Sequence, residues 1–537
     1  MTRSVLREWA ARGDRREASA WLALLAIVAL TTLIRVRMLD FPLERDEGEY
    51  AYAGQLMLEG VPPYQLAYNM KLPGTYAAYA LLMAVFGPSA RGIHAGLLAV
   101  NGAAIALMFL LGRRLYGPLA GIASAGCYAV MSVSPAVMGT AAHATHFVVL
   151  AALGGTVLLL RAVDGDRIGT LSAAGFLLGL AFVMKQHGVF FPAFGAVYLV
   201  GSLLRRRPVE PPKVIARSAA FLASAALPLG LTCLLLGWAG VFGRFWFWTV
   251  SYARAYVSIV PLSSATSALL AQLGEQVRAS TPIWILAAAG MPLAFWRNNP
   301  CGRRRLFMAA FPAFSFLAVC PGFYFREHYF VVLLPAVALL AGVAIGTLGA
   351  KGRPWLASGV FAAAALLSVV QGREFYFEMT PLEACRAVYR LNPFPEAAVV
   401  ARYIDEHAAR DARIAVLGSE PEIYFLSRRR SATGYLYMFP MTERQPYAET
   451  MQVDLIREIE ASRPDYLVFS PIWASDPAHM AVPRRVEEWL GGFLGRNYTQ
   501  VGLADIVAPD RTDYAWGADA ALRAPKSGWF LSVLKRR

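Results

Sequence analysis

Long uncharged apolar segments recur through the first 372 residues and constrain this chain more than any other feature. The first of them, Ala18–Ile34, contains no charged residue. At a rise of about 1.5 Å per residue, a helix of this length just crosses a bilayer when its flanking residues snorkel. Over the whole chain, 57% of the residues are hydrophobic, only 16% are charged, and the mean hydropathy is +0.45. This composition indicates a polytopic α-helical membrane protein.

The apolar runs predict about eleven membrane spans. They lie near residues 18–34, 93–112, 118–137, 144–160, 170–184, 188–204, 218–241, 282–296, 306–321, 330–350 and 355–371. A shorter run at 76–86 is interpreted as re-entrant or interfacial. A cleaved signal peptide is the alternative for the first run, because arginines precede it as in an n-region. The following residues, Ile34-Arg35-Val36-Arg37, lack a small-residue cleavage site and argue against it.

Basic residues between the apolar runs predict the orientation. The clusters Arg113-Arg114 and Arg205–Arg207 share one side with the arginine-rich N-terminus, and the positive-inside tendency places that side in the cytoplasm. Loop 38–75 and the residues after about 372 then lie outside. We therefore expect a multi-pass protein of the bacterial inner (plasma) membrane with an exported C-terminal domain. The same orientation explains the net charge of +15, so no nucleic acid is expected as a partner.

From about residue 373 the composition changes to that of a soluble α/β unit. Helix-like stretches alternate with short strands, which predicts a small layered domain. The predicted pairs are Glu396–Ala409 with Arg413–Leu417, Thr450–Ala461 with Asp465–Ser470, and Val486–Leu494 with Tyr498–Val507. The predicted domains are therefore residues 1–372, embedded in the membrane with a catalytic outer loop at 38–75, and residues 373–537, an exported α/β domain.

The predicted outer loop carries a concentrated group of charges, Arg45-Asp46-Glu47-Gly48-Glu49-Tyr50. A carboxylate at a membrane surface can accept a proton or bind a divalent metal ion, and it can also be only solvated charge. Asp46 is the first candidate for a functional role and Glu47 the second. Glu49 is interpreted as surface charge.

Scarce lysines indicate phosphate binding. Only six of the 51 basic residues are lysines, yet Lys71 and Lys185 lie at predicted outer ends of spans, against the positive-inside tendency. A compact ammonium group is a natural partner for phosphate, and snorkelling is the alternative. On another outer turn, Arg326 and His328 combine a cation with an imidazole.

Histidines, like Lys71 and Lys185, lie at predicted outer ends of spans. His143 and His146 are three residues apart, so in a helix both imidazoles would share one face suited to metal or phosphate. A hydrogen-bonded structural role is the alternative for both. The aromatic stretch 242–256 predicts a helix in the membrane interface with membrane lipid as its partner, where the aromatic side chains either anchor the helix or guide a lipid substrate.

The acidic Asp46-Glu47 pair, the Lys71-x-Pro73 element, the outer-turn Lys185 and an exported C-terminal domain together resemble GT-C superfamily glycosyltransferases. The resemblance is to bacterial relatives of protein O-mannosyltransferases and of aminoarabinose transferases that act on lipid A. Such enzymes transfer a sugar from a polyprenyl-phosphate carrier to an acceptor on the outer membrane face.

The resemblance implies specific roles for several residues. Asp46 is expected to be the general base or a carboxylate that orients the acceptor, with Glu47 assisting it or binding metal. Lys71, Lys185, Arg326 and His328 are expected to bind the donor phosphate. A divalent metal ion, the one expected cofactor, is assigned to Asp46, His143 and His146. Relatives often carry a second acidic residue at the start of the fourth span, where this chain has His143-Ala144-Thr145-His146.

We therefore expect a glycosyltransferase with a polyprenyl-phosphate sugar donor and an envelope acceptor, which is a protein, a lipid or a glycan. The alternative is a transporter or flippase for a lipid-linked sugar. Ionisable residues buried at mid-span would favour that alternative, but the predicted spans contain almost none. A third possibility is an envelope scaffold that displays the C-terminal domain.

Overall fold

The computed structural model describes residues 3–296, 304–471 and 484–537, with side chains from residue 17 onward. The chain divides into two units. The first comprises Met1–Met38, Leu97–Leu231 and Leu262–Met379, and the second comprises Leu39–Gly96, Thr232–Pro261 and Thr380–Arg537. The residues of loop 38–75 thus group almost entirely with the C-terminal residues.

Apolar helices dominate the chain. Within the described residues, six helices are long and apolar enough to cross a membrane: Glu17–Arg37, Ala90–Tyr116, Ala144–Gly165, Gln186–Leu204, Pro211–Trp238 and Pro354–Gln371. The number rises to seven if Phe242–Val257 and Leu262–Ala279 together form one span. Shorter apolar helices are Pro73–Phe86, Pro118–Val133, Ile168–Met184, Thr281–Phe295, Arg305–Leu317 and Leu334–Ala350.

These helices support the predicted membrane-embedded helical fold, because a bilayer core forces each backbone polar group to find its partner within its own helix. Each predicted apolar run coincides with a helix or with part of one. Eleven spans and their orientation stay predictions. Short 3₁₀ or π turns occur at Pro135–Val137, Gln186–Val189, Phe247–Tyr252, Pro321–Phe323, Glu327–Val332 and Glu374–Glu378.

Helix Leu334–Ala350 lies in the core of the first unit. It is buried from Leu334 through Ile345 and packs against helices Pro118–Val133 and Thr281–Phe295. A Cβ atom at Gly342 would lie 2.0 Å from the Ser124 hydroxyl oxygen. Small residues at this interface therefore permit the close helix packing that is typical of membrane bundles.

The second unit combines helices with one mixed sheet. Its helices are Arg45–Leu58, Pro73–Phe86, Phe242–Val257, Pro381–Tyr389, Phe394–His407, Glu422–Ser427, Phe439–Thr442, Ala448–Ser462, Arg485–Asn497 and Ala518–Ala521. Its strands are β1 (Arg413–Leu417), β2 (Arg430–Ser431), β3 (Tyr466–Phe469), β4 (Tyr498–Ala508), β5 (Arg511–Trp516) and β6 (Phe530–Arg536). We refer to Arg45–Leu58 as the outer-loop helix.

The sheet has the strand order β2-β1-β3-β6-β4-β5. Strand β1 pairs in parallel with β2 and β3, whereas β6 pairs antiparallel with β3 and β4, and β5 forms an antiparallel ladder with β4. Strands β1, β3 and β4 coincide with the three strands that the alternation of helix-like stretches and strands predicts after residue 373. Strands β2, β5 and β6 were not predicted, because β2 has only two residues and no helix-like stretch was assigned immediately before β5 or β6.

Candidate functional site

The outer-loop helix begins with a reciprocal cap. The Glu44 carboxylate accepts from the Glu47 backbone N–H at 2.9 Å, and the Glu47 carboxylate faces the Glu44 N–H at 3.4 Å. The other Glu47 oxygen lies 3.1 Å from His94 Nε2, and Glu47 is fully buried. A carboxylate stabilises the first turn of a helix, because it accepts hydrogen bonds from N–H groups that have no partner within the helix and because it interacts favourably with the positive end of the helix dipole. Glu47 thus stabilises the first turn of the outer-loop helix. Its expected role, assisting Asp46 or binding metal, stays a prediction.

Close packing at Gly48 positions this helix on the C-terminal residues of the same unit. A Cβ atom at Gly48 would lie 2.5 Å from the Glu422 backbone nitrogen, which leaves no space for a side chain. Nearby, Arg45 Nε donates to the Ser419 carbonyl oxygen at 2.6 Å, and its guanidinium lies 3.9 Å from Glu420. The charged motif therefore contains glycine because two backbones approach each other at that point.

Asp46 and Lys71 form an ion pair, as loop proximity suggested. Lys71 Nζ lies 3.1 Å from Asp46 Oδ2 and donates to the Tyr50 hydroxyl oxygen at 3.3 Å. Their side chains are 19% and 17% exposed respectively, so the pair is accessible to a ligand. Burial alone lowers the pKa of Lys71, but attraction by Asp46 and Glu49 outweighs it and raises the pKa above the ordinary value. Lys71 is therefore a cation at neutral pH.

Glu49 is not surface charge, so that interpretation of the sequence is wrong. Its side chain is fully buried and accepts hydrogen bonds from Asn69 Nδ2 and the Tyr437 hydroxyl, each at 2.9 Å, and from the Tyr76 hydroxyl. Burial raises the pKa of Glu49 to about 7, although the nearby Lys71 ammonium opposes the rise. Its spacing of three residues from Asp46, one helical turn away, was the available sequence signal.

In the first unit, a separate group of basic side chains surrounds Tyr329. Lys185 Nζ lies 4.3 Å from the centre of the Tyr329 ring, and the His328 ring contacts the same ring edge-on at 4.8 Å. Lys185 and His328 are each only 6% exposed. The structure thus brings two predicted phosphate ligands together, around an aromatic residue that sequence reasoning missed. Arg326 is exposed, with its guanidinium over Tyr324.

The helical-face argument for His143 and His146 is wrong. His143 is the N-cap of helix Ala144–Gly165, with φ −57° and ψ 148°, so it lies outside the regular helix that would align it with His146. Its ring instead stacks on His328, with centroids 4.2 Å apart and planes at 13°. Ring nitrogens of His143 and His328 lie within 4.8 Å of each other, a spacing suited to a shared metal. Metal binding by His146 stays a prediction.

Arg35 holds the turn that leads to His143. Its guanidinium donates to the carbonyl oxygens of Gly139 and Ser132, at 2.8 and 2.9 Å, and the residue is 5% exposed. Gln276 donates to the Ala136 carbonyl oxygen in the same turn. Two side chains distant in sequence thus tie down the backbone before the histidine.

Comparison with known proteins gives one family match and several structural matches. The family model described as dolichyl-phosphate-mannose-protein mannosyltransferase matches residues 71–230, which include Lys71, His143 and Lys185. The structure of ArnT from Cupriavidus metallidurans bound to undecaprenyl phosphate is similar to this chain, with a TM-score of 0.63 and 16% identity over 96% of this chain and 98% of that one. No curated protein matches.

A second structure widens the comparison. The archaeal oligosaccharyltransferase AglB from Archaeoglobus fulgidus, in complex with an inhibitory peptide and a dolichol-phosphate, matches with a TM-score of 0.51 and 12% identity, over 94% of this chain and 75% of that one. The chain has a GT-C fold. The family match and the shared fold confirm the resemblance to the GT-C superfamily, and they support the predicted enzyme class, a membrane glycosyltransferase.

Replacing Gly48 with alanine tests the packing of the outer-loop helix. The new Cβ atom would meet the Glu422 backbone, so we expect a loss of about 1–3 kcal/mol of stability from overpacking. The measurement is the thermal unfolding midpoint of the detergent-solubilised protein. Gly243→Ala is the matched control, because nothing lies within 4 Å of its Cβ position. Equal midpoints for the Gly48 and Gly243 variants would contradict the packing argument.

The buried Glu49 carboxyl predicts a pH-dependent stability. Its pKa is about 7 in the folded protein but ordinary when unfolded, so its contribution is complete at low pH. The contribution of Glu49 to the free energy of unfolding then falls by about 3 kcal/mol as the pH rises from the ordinary glutamate pKa of 4.5 to above the folded-state pKa of about 7. Unfolding midpoints between about pH 5 and about pH 8 should therefore fall less steeply in Glu49→Gln than in wild type. The exposed-site control Glu59→Gln should retain the wild-type slope; a Glu49→Gln slope equal to it would refute the prediction.

Proposed function

We propose that this protein transfers a sugar from a polyprenyl-phosphate carrier to an envelope protein, lipid or glycan at the outer face of the bacterial inner membrane. The observation that carries the proposal is the accessible Asp46–Lys71 pair, 3.1 Å apart, on a chain with a GT-C fold. One member is a base and the other a phosphate-binding cation. Transfer from a sugar phosphate needs both.

The proposed chemistry assigns each group a step. The acceptor oxygen bonds to the anomeric carbon of the sugar while the bond from that carbon to the phosphate oxygen breaks. Asp46 takes the acceptor proton, and the lipid phosphate leaves with the bonding electrons. A phosphate that attracts the Lys71 ammonium also releases Asp46 from its ion pair, so donor binding would activate the base.

The buried cationic group of the first unit supports the phosphate role. Lys185 and His328 both contact Tyr329, and exposed Arg326 lies two residues before His328 in the same turn. Fixed positive groups that meet developing negative charge stabilise the transition state. We propose these three residues as ligands of the donor phosphate, the role that is also proposed for Lys71.

The solved structures support the class of donor. The ArnT structure contains undecaprenyl phosphate and the AglB structure contains a dolichol-phosphate, and both ligands are isoprenoid phosphates. The AglB complex also contains an inhibitory peptide. The proposal therefore names the carrier class and keeps the acceptor broad.

A divalent metal ion remains part of the proposal. The imidazoles of His143 and His328 would hold it, and as a Lewis acid it would neutralise charge on a bound phosphate. Dialysis against a chelator should abolish transfer, and Zn²⁺ or Mn²⁺ should restore it. Undiminished transfer with no metal detected by elemental analysis would exclude a required ion.

Two substitutions test the proposed chemistry. Asp46→Asn removes the base and Lys71→Ala removes the cation, so each should lower transfer by about 10²–10⁴-fold while the unfolding midpoint stays close to wild type. Asp40→Asn and Lys213→Ala are the matched controls, since these side chains are 65% and 59% exposed.

Mass spectrometry of envelope glycans and glycoproteins should show one sugar missing from cells without the protein and from cells with Asp46→Asn. Full transfer by both Asp46→Asn and Lys71→Ala would overturn the assignment. Movement of a lipid-linked sugar across vesicles without transfer would establish the transporter alternative instead.

A further inference from the structure

Glu49 lies one helical turn after Asp46 and has no surface exposure. Three donors from different parts of the second unit converge on its carboxylate: the Asn69 amide, the Tyr76 hydroxyl and the Tyr437 hydroxyl. The base and phosphate-binding roles proposed above do not use this residue. Three hydrogen bonds hold this buried carboxyl group in place, because a buried polar group that loses its partners is costly.

Two of these donors flank Lys71 in the chain. Asn69 precedes it by two residues, and its side chain bridges two partners: Nδ2 donates to Glu49 at 2.9 Å, and Oδ1 accepts from the Met70 backbone N–H at 2.7 Å. Tyr76 follows Lys71 in the first turns of helix Pro73–Phe86. A single carboxylate therefore ties down the backbone on both sides of the lysine.

A further contact completes the arrangement around Lys71. The Tyr64 hydroxyl donates to the Lys71 carbonyl oxygen at 2.6 Å. The lysine backbone is thus held at its own carbonyl and at both flanks, while the ammonium is 3.1 Å from Asp46. Tyr437 connects the same carboxylate to residues that follow strand β2, and its hydroxyl also lies 3.0 Å from the Arg45 carbonyl oxygen.

We propose that Glu49 is a positioning residue that sets the Lys71 ammonium against Asp46 by clamping the chain on both sides of the lysine. Through Tyr437, the C-terminal residues take part in this clamp. The kinetic consequence rests on the proposed glycosyl transfer, but the clamp itself does not. Removal of the carboxylate leaves the Asn69 amide and the Tyr76 hydroxyl without this acceptor, whereas Tyr437 keeps the Arg45 carbonyl oxygen, and the lysine segment is freed.

Chemical labelling of Lys71 tests the clamp without any assay of activity. The full-length protein in detergent is treated briefly with an acetylating reagent, and acetylation of Lys71 relative to exposed Lys213 is read by mass spectrometry. Loss of the clamp should expose the amine, so Glu49→Ala should raise this ratio by about fivefold or more. Glu49→Gln keeps the side-chain volume and one oxygen acceptor, so its ratio should lie near wild type.

Control and rescue variants make the labelling decisive. Glu59→Gln, at the far end of the outer-loop helix, should label as wild type does, because Glu59 contacts exposed Arg430 instead of the lysine segment. Asn69→Ala removes one arm of the clamp and should raise the ratio even if Glu49→Ala fails to fold. Unchanged Lys71 labelling in a folded Glu49→Ala or Asn69→Ala variant would overturn the proposal.

Kinetics then separate positioning from general stability. A misplaced ammonium binds the donor phosphate poorly, so Glu49→Ala should raise KM for the polyprenyl-phosphate sugar by about tenfold and lower kcat, with Glu49→Gln restoring most of both. A merely structural loss would lower the active fraction, and so apparent kcat, at constant KM. Constant KM in Glu49→Ala would contradict positioning. If wild type transfers no sugar, the proposed function fails, and labelling still decides the clamp.

Discussion

The contact between Gly48 and Glu422 is the constraint on which the candidate site of the second unit depends. Two backbones meet there at a distance that excludes any side chain larger than hydrogen. Arg45 reinforces the contact through its hydrogen bond to the Ser419 carbonyl oxygen. Because a helix is rigid over one turn, this contact determines where the carboxylates on either side of Gly48 point.

Those three carboxylates meet three different environments within four residues. Asp46 is partly exposed and paired with a lysine, Glu47 is buried against a histidine and the helix start, and Glu49 is buried among neutral donors. Environment, not residue type, distinguishes the partly exposed carboxylate of Asp46 from the two buried carboxylates.

Much of the fold follows from the sequence because burial in a bilayer imposes long, uninterrupted apolar helices. Helix–strand alternation likewise located β1, β3 and β4. The sequence could not reveal β2, which has two residues, nor β6, which pairs between strands that lie earlier in the chain. Non-local pairing of this kind leaves little periodic signal in the segment itself. Glu49 was misread for a related reason, since a charged residue seen alone is more often exposed than buried.

The sequence by itself determined the class of the chain and singled out two candidate site residues. Long uncharged apolar segments indicated a membrane protein, and scarce lysines with an acidic loop indicated Asp46 and Lys71. Only the tertiary structure decided that these two side chains meet at 3.1 Å, that Glu49 lies between donors on both flanks of the lysine, and that His143 faces His328. The physical reason is that such contacts join residues 20 to 388 positions apart, and composition and spacing report only on near neighbours.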